Sequence, residues 1–294
     1  MMSTVDIIIP TFKREQLLKR TLNHVKKQTF KDWHCWIAED GDTPDCRNTV
    51  EPYLSDSRFT FLPGRHTGSP GTPRNRALIS GESPFVAFLD DDDIWLPEKL
   101  SKQIQFLDAH PECVILGSQC YRLQDDNADL NSLPLYYKEF KLEQIDYFRL
   151  VQHNPLMNST VVIRRQALLR SGLQNDKIDP PNALDYDLWL RIGVLGEIWR
   201  LPEPLIIYRD IPEESIRSVH DRKSFCTILI NVFESALTGD GNIPSPLQDK
   251  KYDSYALAIK NRIVELIREK KSLSTWNIMK KTITQKIQRL TART

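Results

Sequence analysis

The sequence predicts an α/β fold built on a mainly parallel sheet flanked by helices. Three observations carry that expectation. Short apolar runs recur through the first half of the chain, stretches with helical apolar spacing separate them, and three of the runs end in polar or acidic clusters. Strands that alternate with helices give a parallel sheet covered on both faces. Ligands of such sheets bind beyond the carboxyl ends of the strands.

Asp6-Ile7-Ile8-Ile9-Pro10 is an apolar run closed by proline, the profile of a buried parallel strand. Leu18, Leu22 and Val25 then recur at helical spacing with polar residues between them. A second strand, Cys35 to Ala38, ends at Glu39-Asp40-Gly41-Asp42, and a third is expected at Phe59 to Leu62. The loop from Gly64 to Pro73 is dense in Gly and Pro, which marks it as irregular. The fourth strand, Phe85 to Leu89, runs into Asp90-Asp91-Asp92-Asp93. Pro97 suits the first turn of a helix whose stripe is Leu100, Ile104 and Leu107. In the second half, Thr160 to Ile163 and Leu205 to Tyr208 read as strands and Leu184 to Leu195 as a helix. From about Asp221 onward the pattern is helical.

The 294 residues, 40 % hydrophobic and 27 % charged, suffice for a substantial core in one large or two small domains. A formal net charge of +1 offers no excess of cations for tracking phosphates, so a nucleic-acid partner is not expected. Five scattered cysteines without a Cys-x-x-Cys pair argue against a zinc site or a disulfide framework and fit a reducing, cytoplasmic compartment. The start of the chain has no signal-peptide pattern, and no apolar run approaches the roughly 20 residues needed to cross a bilayer.

Strand rules alone bring Pro10-Thr11, Glu39-Asp40 and the four aspartates to one sheet edge. Adjacent carboxylates repel, and a cation at that edge would compensate them. Hard oxygen ligands suit Mg²⁺ or Mn²⁺, which take one or two carboxylates plus substrate phosphates. A solvated acidic turn with an aspartate capping the next helix fits the same residues.

Ile7 to Arg14, Glu39-Asp40-Gly41-Asp42, Arg74-Asn75 and Phe88 to Asp93 together resemble family-2 glycosyltransferases in order and spacing, over roughly residues 4 to 210. The resemblance implies a GT-A fold, a nucleoside-diphosphate-sugar donor, typically UDP-linked, a divalent metal and inversion at the anomeric carbon. It puts Pro10, Thr11, Arg14, Glu39, Asp40, Arg74, Asp90 and Asp91 on the donor nucleotide, with Asp40 accepting from the base. Asp92 becomes the metal ligand, Asp93 a helix cap, and Asn75 a residue that fixes its loop. Leu184-Asp185-Tyr186-Asp187-Leu188-Trp189 resembles the family's acidic helix start and makes Asp185 the catalytic base, although Leu184 replaces the usual Glu. Without the family, Asp185 reads equally as an N-cap, and Asp187 stands four residues before Arg191, the spacing of a surface ion pair. His220 is a second metal-ligand candidate, and the stretch Asn154 to Thr160 a candidate acceptor face. Trp95, Trp189 and Trp199 could stack on sugars or simply belong to the core.

The resulting organisation is a catalytic domain over residues 1–220 and a helical C-terminal extension over 221–294. The tail carries Lys271, Lys280, Lys281, Lys286, Arg289 and Arg293 beside Trp276, Met279, Ile283, Ile287 and Leu290. A basic amphipathic helix of this kind either lies on an anionic membrane or packs its apolar face on the domain. The expected reaction moves a hexose or N-acetylhexosamine from a UDP-sugar to a glycan or lipid-linked acceptor in polysaccharide or lipopolysaccharide synthesis. A sugar-nucleotide pyrophosphorylase would want a Gly-rich loop after the first strand, where Pro10-Thr11-Phe12-Lys13-Arg14 stands. A non-catalytic sugar-nucleotide or glycan-binding module on the same fold is the remaining alternative.

Overall fold

In the computed structural model, residues 3–137, 141–178, 183–211, 222–239 and 245–271 are described. The run of isoleucines forms β1 (Val5–Thr11), every residue of which is buried. Its side chains alternate between two cores: Val5, Ile7 and Ile9 enter one and Ile8 the other, as a strand covered on both faces requires. Helix α1 (Glu15–Lys26) then leads to β2 (Trp33–Glu39), and α2 (Pro44–Val50) to β3 (Phe59–Leu62). Helix α3 (Gly71–Ser80) returns the chain to β4 (Phe85–Phe88). Strand β1 pairs in parallel with β2 on one side and with β4 on the other, and β2 in turn with β3. The topological switch therefore falls at β1, where a ligand crevice is expected.

The second half adds β5 (Ile94–Trp95), α4 (Lys99–Ala109), β6 (Cys113–Leu123), β7 (Glu143–Gln144), α5 (Tyr147–Gln152), β8 (Val162–Arg164), α6 (Arg165–Ser171), α7 (Leu184–Ile192), β9 (Glu197–Arg209) and α8 (Arg222–Thr238). A further helix, α9, covers 253–271. Among the described residues the strands form one sheet in the order β3-β2-β1-β4-β8-β6-β9-β5, with β7 also on β9. Strand β8 runs antiparallel to both β4 and β6, while β6 and β9 are parallel. Helices α1, α2 and α4 supply one core through Leu18, Leu22, Cys46, Leu100 and Leu107. The other core collects Ala77 of α3, Leu168 of α6, Trp189 of α7, Phe233 of α8 and Ile259 of α9. The C-terminal helices thus bury apolar residues in the same core as α7.

Several elements differ from the sequence expectation. The strand expected at 160–163 begins at Val162, because Asn158–Thr160 first makes a 3₁₀ turn. The strand expected at 205–208 is the end of the 13-residue β9, and the 11-residue β6 was not foreseen. The helix expected over 184–195 stops at Ile192, with Gly193 as its C-cap. Pro97 precedes α4 rather than opening it, because Ile94 and Trp95 first pair with β9 and Glu98 is the N-cap. Asp93 caps no helix: it is 1 % exposed, and its Oδ1 accepts from the Arg209 backbone N at 2.8 Å, tying the aspartate turn to β9.

Candidate active site

The carboxyl ends of β1, β2 and β4 open on a cavity of about 370 Å³. The Asp40 backbone N donates to the Thr11 carbonyl at 2.8 Å, which locks the first two strand ends together. Thr11 Oγ1 donates to Asp91 Oδ2 at 2.7 Å, which locks the third. Lys13 has a left-handed φ of 52°, and this bend separates Phe12 from Arg14, both of which line the cavity. Arg14 Nη1 donates to Asp92 Oδ2 at 2.9 Å and to Asp91 Oδ1 at 3.2 Å. Thr21 Oγ1 donates to the carbonyls of Asp91 and Asp93, so α1 holds the aspartate turn from behind.

The four aspartates differ in environment. Asp91 is buried, and desolvation together with the neighbouring Asp92 pushes its carboxyl up to about 7 against the pull of Arg14. Burial and repulsion from Asp90 raise Asp92 as well. Asp90 and Asp92 keep 31 % and 20 % of their side chains exposed, toward the cavity they line. Asp90 accepts from Arg74 Nη2 and from Asn158 Nδ2 at 2.9 Å, while its own backbone N donates to Ser159 Oγ at 3.0 Å. Arg74 sits in α3 and is 7 % exposed.

Asp40 is 5 % exposed and anchors the loop after β3. Its Oδ1 accepts from Thr67 N at 2.9 Å and Thr67 Oγ1 at 2.8 Å, and its Oδ2 from Gly68 N at 2.8 Å. Gly68 has φ of +77°, which a residue with a Cβ would adopt only under strain. His66 Nδ1 lies 2.9 Å from Asp40 Oδ2 and 2.9 Å from the Asp40 carbonyl. Two acceptors facing one nitrogen call for a proton on Nδ1, which donates to them.

On the opposite wall α7 presents Asp185. Ala183 is the N-cap of α7, so Asp185 lies inside the first turn and is not the N-cap. Asn154 Nδ2 donates to Asp185 Oδ2 at 3.4 Å, and Asn154 Oδ1 is engaged by Leu156 N at 3.1 Å, which orients the amide. Asp187 and Arg191 are not a surface pair. Both side chains are 0 % exposed and meet at 2.6 Å, and Arg191 also donates to the carbonyls of Ser171 and Leu173. The helical spacing was right and the exposure wrong, because the end of α6 and the loop after it meet that face of α7.

Pro10, Thr11, Arg14, Asp40, Arg74, Asp90, Asp91, Asp92 and Asp185 all line this one cavity. Glu39 does not: it is 0 % exposed and turned back onto Thr43, whose N and Oγ1 donate to it at 3.1 and 2.6 Å. Asn75 joins α3 to the loop after α6, exchanging bonds with Gln174 O and N at 2.7 and 3.0 Å. His220 and the basic tail beyond Lys271 lie outside the described residues. Trp95 and Trp189 are core residues at 0 % exposure, and Trp199 is half-buried against Phe106 and His110. Sequence reasoning missed His66, Tyr208 and Arg209 as cavity residues, and it singled out Asn158 only as part of the stretch Asn154 to Thr160.

The donor set fits a hard divalent cation. Asp90 and Asp92 present two partly exposed carboxylates whose mutual repulsion a cation would relieve. Among the described residues no group of three His, Cys, Asp or Glu side chains converges as ligands. Two carboxylates with phosphate oxygens and water completing the shell is a usual arrangement for Mg²⁺.

A mainly parallel sheet with nucleotide-sized space at its switch point and paired aspartates at a strand end is the GT-A architecture of sugar transferases. Solved structures share it. The Staphylococcus aureus TarS 1–349 complex with UDP-GlcNAc superposes with a TM-score of 0.65 at 19 % identity, covering 89 % of this chain and 72 % of that one. The Pyrobaculum calidifontis mannosyltransferase PcManGT, in complex with GDP-Man and Mn²⁺, gives 0.58 at 14 % identity over 95 % of this chain and 80 % of its own. The family model for glycosyl transferase family 2 matches residues 6–173, and the chain belongs to that family. Among its relatives, the amylovoran biosynthesis glycosyltransferase AmsE of Erwinia amylovora is 33 % identical over 69 % of this chain and 75 % of its own length. The Escherichia coli UDP-Glc:alpha-D-GlcNAc-diphosphoundecaprenol beta-1,3-glucosyltransferase WfgD is 29 % identical over 64 % of this chain and 69 % of that protein. The chain is thus a glycosyltransferase.

Proposed function

We propose that the protein transfers a hexose or N-acetylhexosamine from a UDP-sugar to a lipid-linked glycan acceptor, with inversion, in the synthesis of a surface polysaccharide. The observation that carries the reading is the meeting of Asp40, Arg74, Asp90, Asp92 and Asp185 around one cavity. The named substrates of WfgD support the choice of donor and acceptor. Residues 1–220 would form the catalytic unit and 221–294 its helical extension. The tail over 272–294 would bring a cytoplasmic enzyme to the inner face of an anionic membrane, which liposome co-sedimentation of a truncated chain tests.

In this reading Asp40 receives the base and Phe12 its face. Arg14 and Arg74 lie where a diphosphate would meet cations. Asp92, with Asp90 beside it, would hold a divalent ion, and such an ion would supply Lewis-acid neutralisation of the charge that grows on the departing diphosphate. Asp185 takes the proton of the acceptor hydroxyl while the acceptor oxygen bonds to the anomeric carbon. The bond from that carbon to the β-phosphate oxygen breaks in the same step, and its electron pair leaves with UDP. Attack from the face opposite the leaving group inverts the centre.

The test combines binding and transfer. UDP with Mn²⁺ should raise the melting temperature, and EDTA should remove the shift. Asp185→Asn should keep that shift and lose transfer from UDP-glucose to a diphosphoundecaprenol-linked sugar. Transfer that survives EDTA would sink the metal assignment, and transfer that survives Asp185→Asn would sink the base.

A further inference from the structure

His66 makes two contacts that a nucleobase would make in the same place. Its ring lies 4.1 Å from that of Phe12 at an interplanar angle of 14°, a parallel stack. Its Nδ1 lies 2.9 Å from Asp40 Oδ2. A carboxylate offers about four acceptor positions, and Asp40 fills them with Thr67 N, Thr67 Oγ1, Gly68 N and His66 Nδ1. A base that donates to Asp40 must therefore displace one of them. Thr67 N and Gly68 N are backbone groups fixed by the turn at Gly68, and Thr67 Oγ1 rides on the same turn. The His66 side chain is 53 % exposed and can leave by rotation alone.

We infer that His66 occupies the nucleobase subsite and sets nucleotide affinity by competing with the base for Phe12 and Asp40. The inference rests on the reading that this cavity takes the donor nucleotide with its base on Asp40. Only the fraction of molecules with His66 swung out binds, so apparent affinity falls by that fraction for every ligand alike. A base must also replace the donor it removes. Uracil and guanine carry a ring N–H that can take the place of His66 Nδ1–H, whereas cytosine and adenine can donate only through an exocyclic amine displaced from that position. The chemical class selected is a uridine or guanosine diphosphate.

The experiment is calorimetric titration of the full chain with UDP, UDP-glucose and CDP in Mn²⁺. His66→Ala should bind UDP and UDP-glucose about tenfold more tightly by one common factor, the size of an aromatic stack plus a solvent-compensated hydrogen bond. CDP should remain the weaker ligand in both forms. The gain should shrink in a Phe12→Ala background, because the stack is gone and only the bond to Asp40 still holds His66. UDP binding that is unchanged or weaker in His66→Ala overturns the inference and leaves the donor site standing. Failure of every form to bind UDP overturns the donor reading, and this inference with it. An independent check needs no substitution: the His66 Cε1–H proton resonance should sit upfield under the Phe12 ring and move downfield on saturation with UDP. A resonance that stays put overturns the displacement.

Discussion

Arg14 bridges the two middle aspartates of the strand-end run, with Nη1 2.9 Å from Asp92 Oδ2 and 3.2 Å from Asp91 Oδ1. In the protein without ligands this guanidinium is the counter-charge for carboxylates that burial and mutual repulsion would otherwise leave costly. A divalent ion on Asp92 would do the same work. Arg14→Ala should therefore lower stability by about 1–2 kcal/mol, below the range for a fully buried pair because the Arg14 side chain is a third exposed. Millimolar Mn²⁺ should restore more of the melting temperature in the variant than it adds to the wild type. Equal Mn²⁺ shifts in both proteins would mean that the arginine and the ion do not share a task.

Asp187 and Asp185 are two residues apart on α7, yet one faces the core and the other the cavity. Asp187→Ala would leave Arg191 as an uncompensated buried cation, at a cost of about 3–5 kcal/mol. Urea denaturation should show that loss, while Asp185→Asn should change the midpoint little. Activity lost in Asp187→Ala should follow the folded fraction. A stable Asp187→Ala protein without activity would give Asp187 a chemical role.

What the sequence made legible follows from the physics of each segment. Strands β1, β2 and β4 each hold a short apolar run that ends abruptly in a polar cluster, so the strand-end rule brought Thr11, Asp40 and Asp90–Asp92 together without coordinates. Strand β6 escaped because Gly117, Ser118 and Gln119 break its apolar pattern. The register against β9 shifts on either side of Gln119, whose side chain bonds Cys120 N and the backbone of Tyr137. Asp187 and Arg191 were paired correctly but placed on the surface, since four-residue spacing is the same whether or not another helix covers it. His66 lies in a Gly- and Pro-rich loop with no local signal, and only the turn anchored on Asp40 carries it to Phe12.

Asp126 supplies the acid-sensitive contact of the site's outer rim. Arg209 Nε and Nη2 and Arg20 Nη1 donate to it, and these bonds, above all those from Arg209, bring its carboxyl down to about 2. A folded value below the unfolded 3.8 means that the stabilisation is complete above roughly pH 4 and is lost as the pH falls toward 2. Asp126→Asn should melt below the wild type at neutral pH, and the gap should close between pH 4 and 2. A gap that stays constant across that range would show that Asp126 contributes through shape and not through its charge.

Asn154 and Asn158 stand four residues apart on one segment and donate to carboxylates on the two sides of the cavity, Asp185 and Asp90. The segment between them is pinned where Arg200 Nη1 and Tyr137 OH donate to the Pro155 carbonyl at 3.0 and 3.2 Å. It acts as a strut that sets the position of the candidate base relative to the donor side. Asn154→Ala removes an amide donor to a carboxylate, a loss of about 1 kcal/mol at this long distance. If all of it falls on the transition state, kcat drops roughly fivefold, while UDP affinity, which depends on the other wall, holds. Asn158→Ala should show the converse, weaker binding of UDP with Mn²⁺ and a smaller loss of kcat at saturation. Equal effects of both substitutions on UDP binding would show that the strut merely supports the fold, and a change in kcat alone for Asn154→Ala would tie it to the base.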